Sequence, residues 1–97
     1  MKLYVDDLRN PPDDSWYVVR TAEEAIVILS SMCATHVSLD HDLGDNVPPG
    51  YDVLLWLERE IITNDYPMPE IIIHTANPSA KVKMDLCVKR LKERMTK

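Results

Sequence analysis

Stretches of strand periodicity alternate with stretches of helical periodicity along this chain, and that order leaves few architectures open. Residues 2–6 alternate around Leu3 and Val5 and stop at Asp6 and Asp7, as a short strand ending in a polar turn does. Residues 16–20 give a second strand. His36-Val37-Ser38-Leu39-Asp40 gives a third, again ending in acid at Asp40 and Asp42. Ile71-Ile72-Ile73-His74 is a continuous β-branched run, the signature of a parallel strand covered on both faces, and predicts a place in or near the middle of a sheet.

Helical patterns separate these segments. Thr21-Ala22-Glu23-Glu24 is a capping box, and Ala22, Ala25, Ile26, Leu29 and Met32 then fall on one helical face. Val53, Leu54, Leu57 and Ile61 mark the inner face of a second helix over 51–64. From residue 79 onward Met84, Val88, Leu91 and Met95 keep helical spacing, with Lys83, Lys89, Arg90, Lys92 and Arg94 between them. Strands and helices in this order imply a parallel sheet with right-handed crossovers, which gathers all strand C-termini on one edge, where ligands bind.

One connection departs from the rule. Leu8-Arg9-Asn10-Pro11-Pro12-Asp13-Asp14-Ser15 cannot be helical through its proline pair, so the first two strands are joined by a loop. Parallel pairing of these strands requires that loop to run back nearly extended, at about 3.3 Å per residue. With 97 residues there is room for one core and no second domain, so the expectation is a single α/β domain over 1–97.

The balance of 45% hydrophobic and 28% charged residues is that of an ordinary globular protein. A net charge of -5 argues against a bulk nucleic-acid or anionic-lipid binding surface. No apolar run approaches the roughly eighteen residues of a membrane span, and acid follows the N-terminus too closely for a secretory signal, so the expected location is the cytoplasm. Cys33 and Cys87 lie far apart in segments of helical pattern without CxxC spacing, and read as core thiols.

Asp6, Asp7, Asp40 and Asp42, with His74 and Thr75, all stand at or just past strand C-termini. Carboxylates brought together repel, and a divalent cation offsets that repulsion. Oxygen ligands favour Mg²⁺ or Mn²⁺, whose usual work is to neutralise phosphate oxygens. The expected metal ligands are Asp6, Asp7, Asp40 and Asp42.

The acidic pair Asp6-Asp7, the lone aspartate in Ser38-Leu39-Asp40, Gly50 opening the next helix and Thr75-Ala76 after the fourth strand resemble the receiver domain of two-component response regulators. The resemblance implies a flavodoxin-like sheet of about four parallel strands with about three helices, lacking the first crossover helix and the fifth strand. It also implies Mg²⁺ on the acidic pair and Asp40, a phosphoryl group on Asp40, and Thr75 on the phosphoryl oxygens. The lysine at the end of the family's fifth strand has no counterpart here.

Asp6-Asp7-Leu8-Arg9 with Pro11-Pro12, the run Ser38-Leu39-Asp40-His41-Asp42-Leu43-Gly44, and His74-Thr75-Ala76-Asn77-Pro78 are similar, in combination, to the cyclic-phosphate processing receiver domain. That name implies work on cyclic phosphates, on nucleotides or RNA ends. Opening a cyclic phosphodiester needs a base, an acid and positive charge for the oxyanion. His41 and His74 suit the first two roles, while a metal and a bidentate Arg9 suit the third.

Each residue also has a plainer reading. Asp42 closes a turn or ligates metal; His41 points away from Asp40 if the strand continues. Strand alternation keeps His74 and Thr75 off the same face, and the receiver likeness selects Thr75 for the site, leaving His74 structural. Arg9 is a phosphate contact or a surface ion pair, and Asn77 binds phosphate or shapes a turn. His36 stands at the opposite edge of the sheet. Trp16, Trp56 and Tyr51 read as core or helix-sheet packing and not as a binding platform. Three functions follow: a metal-dependent cyclic-phosphate enzyme, a phosphoacceptor with Asp40 as nucleophile, or a catalytically silent interaction domain.

Overall fold

The computed structural model describes residues 1–95. Its elements are β1 (Lys2–Val5), β2 (Trp16–Val19), α1 (Ala22–Ser31), β3 (His36–Leu39), α2 (Gly50–Asn64), β4 (Glu70–Ile73) and α3 (Pro78–Met95). The strands form one all-parallel sheet in the order β2-β1-β3-β4, so the loop joining β1 to β2 does run back to a parallel neighbour.

Local chemistry explains the helix limits. The Thr21 hydroxyl accepts the Glu24 N–H at 3.1 Å and lies 3.2 Å from the Glu24 carboxylate, which opens α1 as the capping box requires. The helix stops at Ser31, and Met32 is extended, so Cys33 lies outside it and is exposed. This corrects the expectation of a core thiol there; only Cys87, in α3, is buried. Helix α2 starts against the end of β3, where the Gly50 N–H donates to the His41 carbonyl at 2.8 Å. A Cβ at Gly50 would stand 1.7 Å from the Asp40 carbonyl oxygen, so only glycine permits this approach.

Register divides the strand residues into two faces. Leu3, Val5, Val19, Val37, Leu39, Ile71 and Ile73 point one way and share a single core with Ala25 and Leu29 of α1, Leu54 and Leu57 of α2, and Met84 and Leu91 of α3. The alternate residues Lys2, Tyr4, Trp16, Val18, His36, Ser38, Glu70 and Ile72 point the other way, and none belongs to that core. All three helices therefore cover one face. The β1-to-β2 connection runs across the sheet in the opposite direction to the helical crossovers, so the same right-handed sense puts loop 7–15 over the other face.

Two expectations change. The β-branched run of β4 forms an edge strand, and Ile72 is 40% exposed, because no helix covers its outward face among the described residues. Trp16 packs away from the helices, edge-on to Tyr4 with ring centroids 6.0 Å apart and with the Lys2 ammonium 4.6 Å above it. Tyr51 and Trp56 do pack against the core. No described helix is long and apolar enough to cross a membrane.

Candidate functional site

Because Val5, Leu39 and Ile73 end their strands in matched register, the residues that follow them fall in one row on the face away from the helices. Those residues are Asp6, Asp40 and His74. Asp7 joins them from the start of the loop, and Asp6, Asp7 and Asp40 each offer an oxygen within 4.8 Å of the others. An open cleft of ≈ 430 Å³ lies over them, bounded by Asp6, Asp7, Leu8, Arg9, Asp40, Asp42, Gly44 and Asp45.

Asp6 is buried and densely bonded. Its Oδ1 accepts the N–H groups of Leu8 at 2.9 Å and Arg9 at 2.8 Å, which folds the chain sharply after β1. Its Oδ2 accepts His74 Nε2 at 3.0 Å and lies 3.4 Å from Arg9 Nε. Burial works to raise the carboxyl's pKa, but the backbone donors of Arg9 and Leu8 and the His74 ring hold it below its ordinary value. Asp40 is also buried; its Oδ1 accepts the His41 N–H at 2.8 Å, and its Oδ2 faces Arg9 Nη2 at 3.8 Å.

His74 is wedged rather than free. Its ring stacks on Tyr4 with centroids 4.5 Å apart, and its Nδ1 lies 2.7 Å from the Ser38 hydroxyl. Burial lowers its pKa against the pull of Asp6, which keeps the ring neutral. A carboxylate only accepts, so Nε2 carries the proton and Nδ1 accepts from Ser38. The Ser38-His74-Asp6 chain has the order of a hydrolase triad, but Ser38 is only 4% exposed, so no substrate reaches its hydroxyl.

The remaining candidates sit around this centre. Thr75 is buried and its hydroxyl accepts the Asn77 N–H at 3.2 Å, so it serves the turn into α3. Asn77 caps α3, its Oδ1 accepting the Ala80 N–H at 3.1 Å, while its amide donates to Asp42 Oδ2 at 3.3 Å. Asp42 is mostly exposed and binds His41 Nδ1 at 2.8 Å through its other oxygen. That hydrogen bond, and then the Asn77 amide, hold its carboxyl below the ordinary value against slight burial. Asp42 lines the cleft without joining the three-carboxylate group. His36 stands at the far edge, in register with Lys2 and Glu70.

Sequence reasoning missed three supports. Ser38 and Tyr4 fix the His74 ring, and Arg20 donates to the Asp6 carbonyl at 3.1 Å and the Arg9 carbonyl at 2.9 Å. The signal for Ser38 was its place two residues before Asp40, on the same strand face.

A four-stranded parallel sheet with an acidic trio at its C-terminal edge defines a receiver-type α/β domain. More particularly, the family model of the Cyclic-phosphate processing Receiver domain matches residues 1–90, and the chain belongs to that family. No curated protein and no solved structure matches it.

Proposed function

We propose that the chain is a metal-dependent enzyme that opens or transfers cyclic phosphates on nucleotides or RNA ends. The observation that carries this reading is the convergence of Asp6, Asp7 and Asp40 oxygens within 4.8 Å, in a member of a family named for cyclic-phosphate processing. An all-carboxylate donor set on an open cleft fits Mg²⁺ or Mn²⁺, which keep several waters and bind through few protein ligands. When bound, such an ion supplies charge neutralisation for phosphate oxygens.

The chain's own residues divide the remaining work. Arg9, half exposed at the cleft, offers a planar fork to a phosphate. Asp42 holds the His41 Nδ1 proton, leaving Nε2 as an acceptor suited to a base. His74 holds Asp6 in place as a positioning residue.

The test is hydrolysis of 2′,3′-cyclic nucleotides and cyclic-phosphate RNA ends with Mg²⁺ or Mn²⁺, using Asp40→Asn as control. Turnover lost in the variant supports the reading; no turnover by folded, cation-bound wild type sinks it. Receiver ancestry favours a second reading, with Asp40 as a phosphoacceptor. Against it, a lysine of α3 would have to replace the family's fifth-strand lysine, and the Lys81 ammonium, near the start of that helix, is tied to the Ile73 carbonyl at 3.2 Å and to Asp85 at 3.0 Å. A mass gain from a small phosphodonor, abolished by Asp40→Asn, would favour it.

A further inference from the structure

We infer that Arg9 is a built-in counter-ion of Asp6 and Asp40, which a divalent cation displaces and a phosphate then recaptures. The inference rests on the metal-binding reading above. The donors on Asp6 and Asp40 differ in strength and freedom.

Asp6 Oδ1 is held by two backbone N–H groups at 2.8 and 2.9 Å, and Asp40 Oδ1 by the His41 N–H at 2.8 Å. These bonds shape the chain and cannot be released without unfolding the turns. His74 on Asp6 Oδ2 is locked by its stack on Tyr4 and its bond to Ser38. Arg9 differs on every count. Its side chain is 50% exposed, and its contacts are long: 3.4 Å to Asp6 Oδ2, 3.8 Å to Asp40 Oδ2 and 3.3 Å to the His74 carbonyl.

The guanidinium thus faces the oxygen of Asp6 and the oxygen of Asp40 that no backbone N–H holds. A cation drawing ligands from Asp6 and Asp40 meets Arg9 there, and two positive groups sharing these oxygens repel. The backbone of Arg9 stays in place, because its N–H is on Asp6 and its carbonyl accepts from Arg20. Only the side chain swings, about a fixed root at the cleft wall. A displaced fork remains within reach of an anion held by the ion, where it binds bidentately. Cation and phosphate then bind with positive cooperativity, since each stabilises the arrangement the other requires.

Calorimetric titration with Mn²⁺ alone, then with inorganic phosphate on the Mn²⁺-loaded protein, tests this in wild type, Arg9→Gln and Arg9→Lys. Glutamine removes the competing charge but keeps the backbone anchors. Arg9→Gln is expected to bind Mn²⁺ about three- to tenfold more tightly, because it loses weak, partly exposed ion pairs. Its loaded form is expected to bind phosphate at least about tenfold more weakly, the loss of a charge-assisted bidentate contact. Arg9→Lys, with charge but no fork, falls between on both readouts. Unchanged or weaker Mn²⁺ binding in Arg9→Gln, with wild type binding normally, overturns the counter-ion role and leaves the metal site standing. Absence of Mn²⁺ binding in every variant overturns the metal reading and this inference together.

Discussion

On the face of the sheet that meets the helices, Leu3, Val5, Val37 and Leu39 are wholly buried and the contacts are apolar. On the face that meets loop 7–15, the sheet presents Lys2, Trp16, Tyr4, Ser38 and His36, and Asp6, Asp40 and His74 follow on the same face. Replacing a crossover helix with a proline-bearing loop removes an apolar partner from that face, and what remains can hold buried polar groups in a hydrogen-bonded chain. Stability resides on one face and the candidate chemistry on the other.

Substitutions can break that division, beginning with the largest effect. Gly50→Ala, whose Cβ would meet the Asp40 carbonyl, and Leu57→Ala in the helical core are each expected to cost about 2–5 kcal/mol by urea unfolding. Ile72→Ala on the loop-side face should cost under about 1 kcal/mol. Equal costs for Leu57→Ala and Ile72→Ala would show that a further element covers the second face in solution.

His74→Ala removes the closest donor on Asp6 Oδ2 and the ring acceptor of the buried Ser38 hydroxyl, with an expected loss of about 1–3 kcal/mol. The same ring sets a pH dependence. Its folded pKa is lowered from the ordinary 6.5, so the unfolded chain takes up the proton first as pH falls. Stability is therefore full above 6.5 and declines between that value and the lower folded one. Asp6, lowered below 3.8, adds a loss of the same sign in stronger acid. His74→Asn should flatten the upper part of the profile, and an unchanged slope there would assign it elsewhere.

Asp40→Asn should change apo stability by under about 1 kcal/mol, since it relieves like-charge repulsion while keeping, in a weaker uncharged form, the bond from the His41 N–H. It should also abolish stabilisation by Mn²⁺ in a thermal-shift titration. A variant that still gains stability from the ion would remove Asp40 from the ligand set. The smallest effect distinguishes the thiols. Cys33 is exposed and should react promptly with a thiol reagent, whereas Cys87, buried and pushed up to about 11, should react only after unfolding.

Much of this molecule was written locally. Thr21 and Glu24 specify the start of α1, Pro11-Pro12 forbids a helix between the first strands, and acids at strand ends mark the ligand-binding edge. Capping, proline geometry and hydrophobic period act over a few residues, so the sequence displays them directly. The role of Ile72 was not legible, because a β-branched run records the strand's own propensity and not whether a neighbour arrives to cover it.

The same holds for the site. Alternation correctly separated His74 from Thr75, but which of them shares a row with Asp6 depends on the register between distant strands. Only the pairing of Leu39 with Ile73, and of Val5 with Leu39, places the His74 ring on Asp6 and leaves the Thr75 hydroxyl to a turn. Residue types and local turns were determined by the sequence alone. The convergence of Asp6, Asp40, Arg9 and His74 was decided by tertiary structure, because register and face are properties of pairs of segments and not of any one.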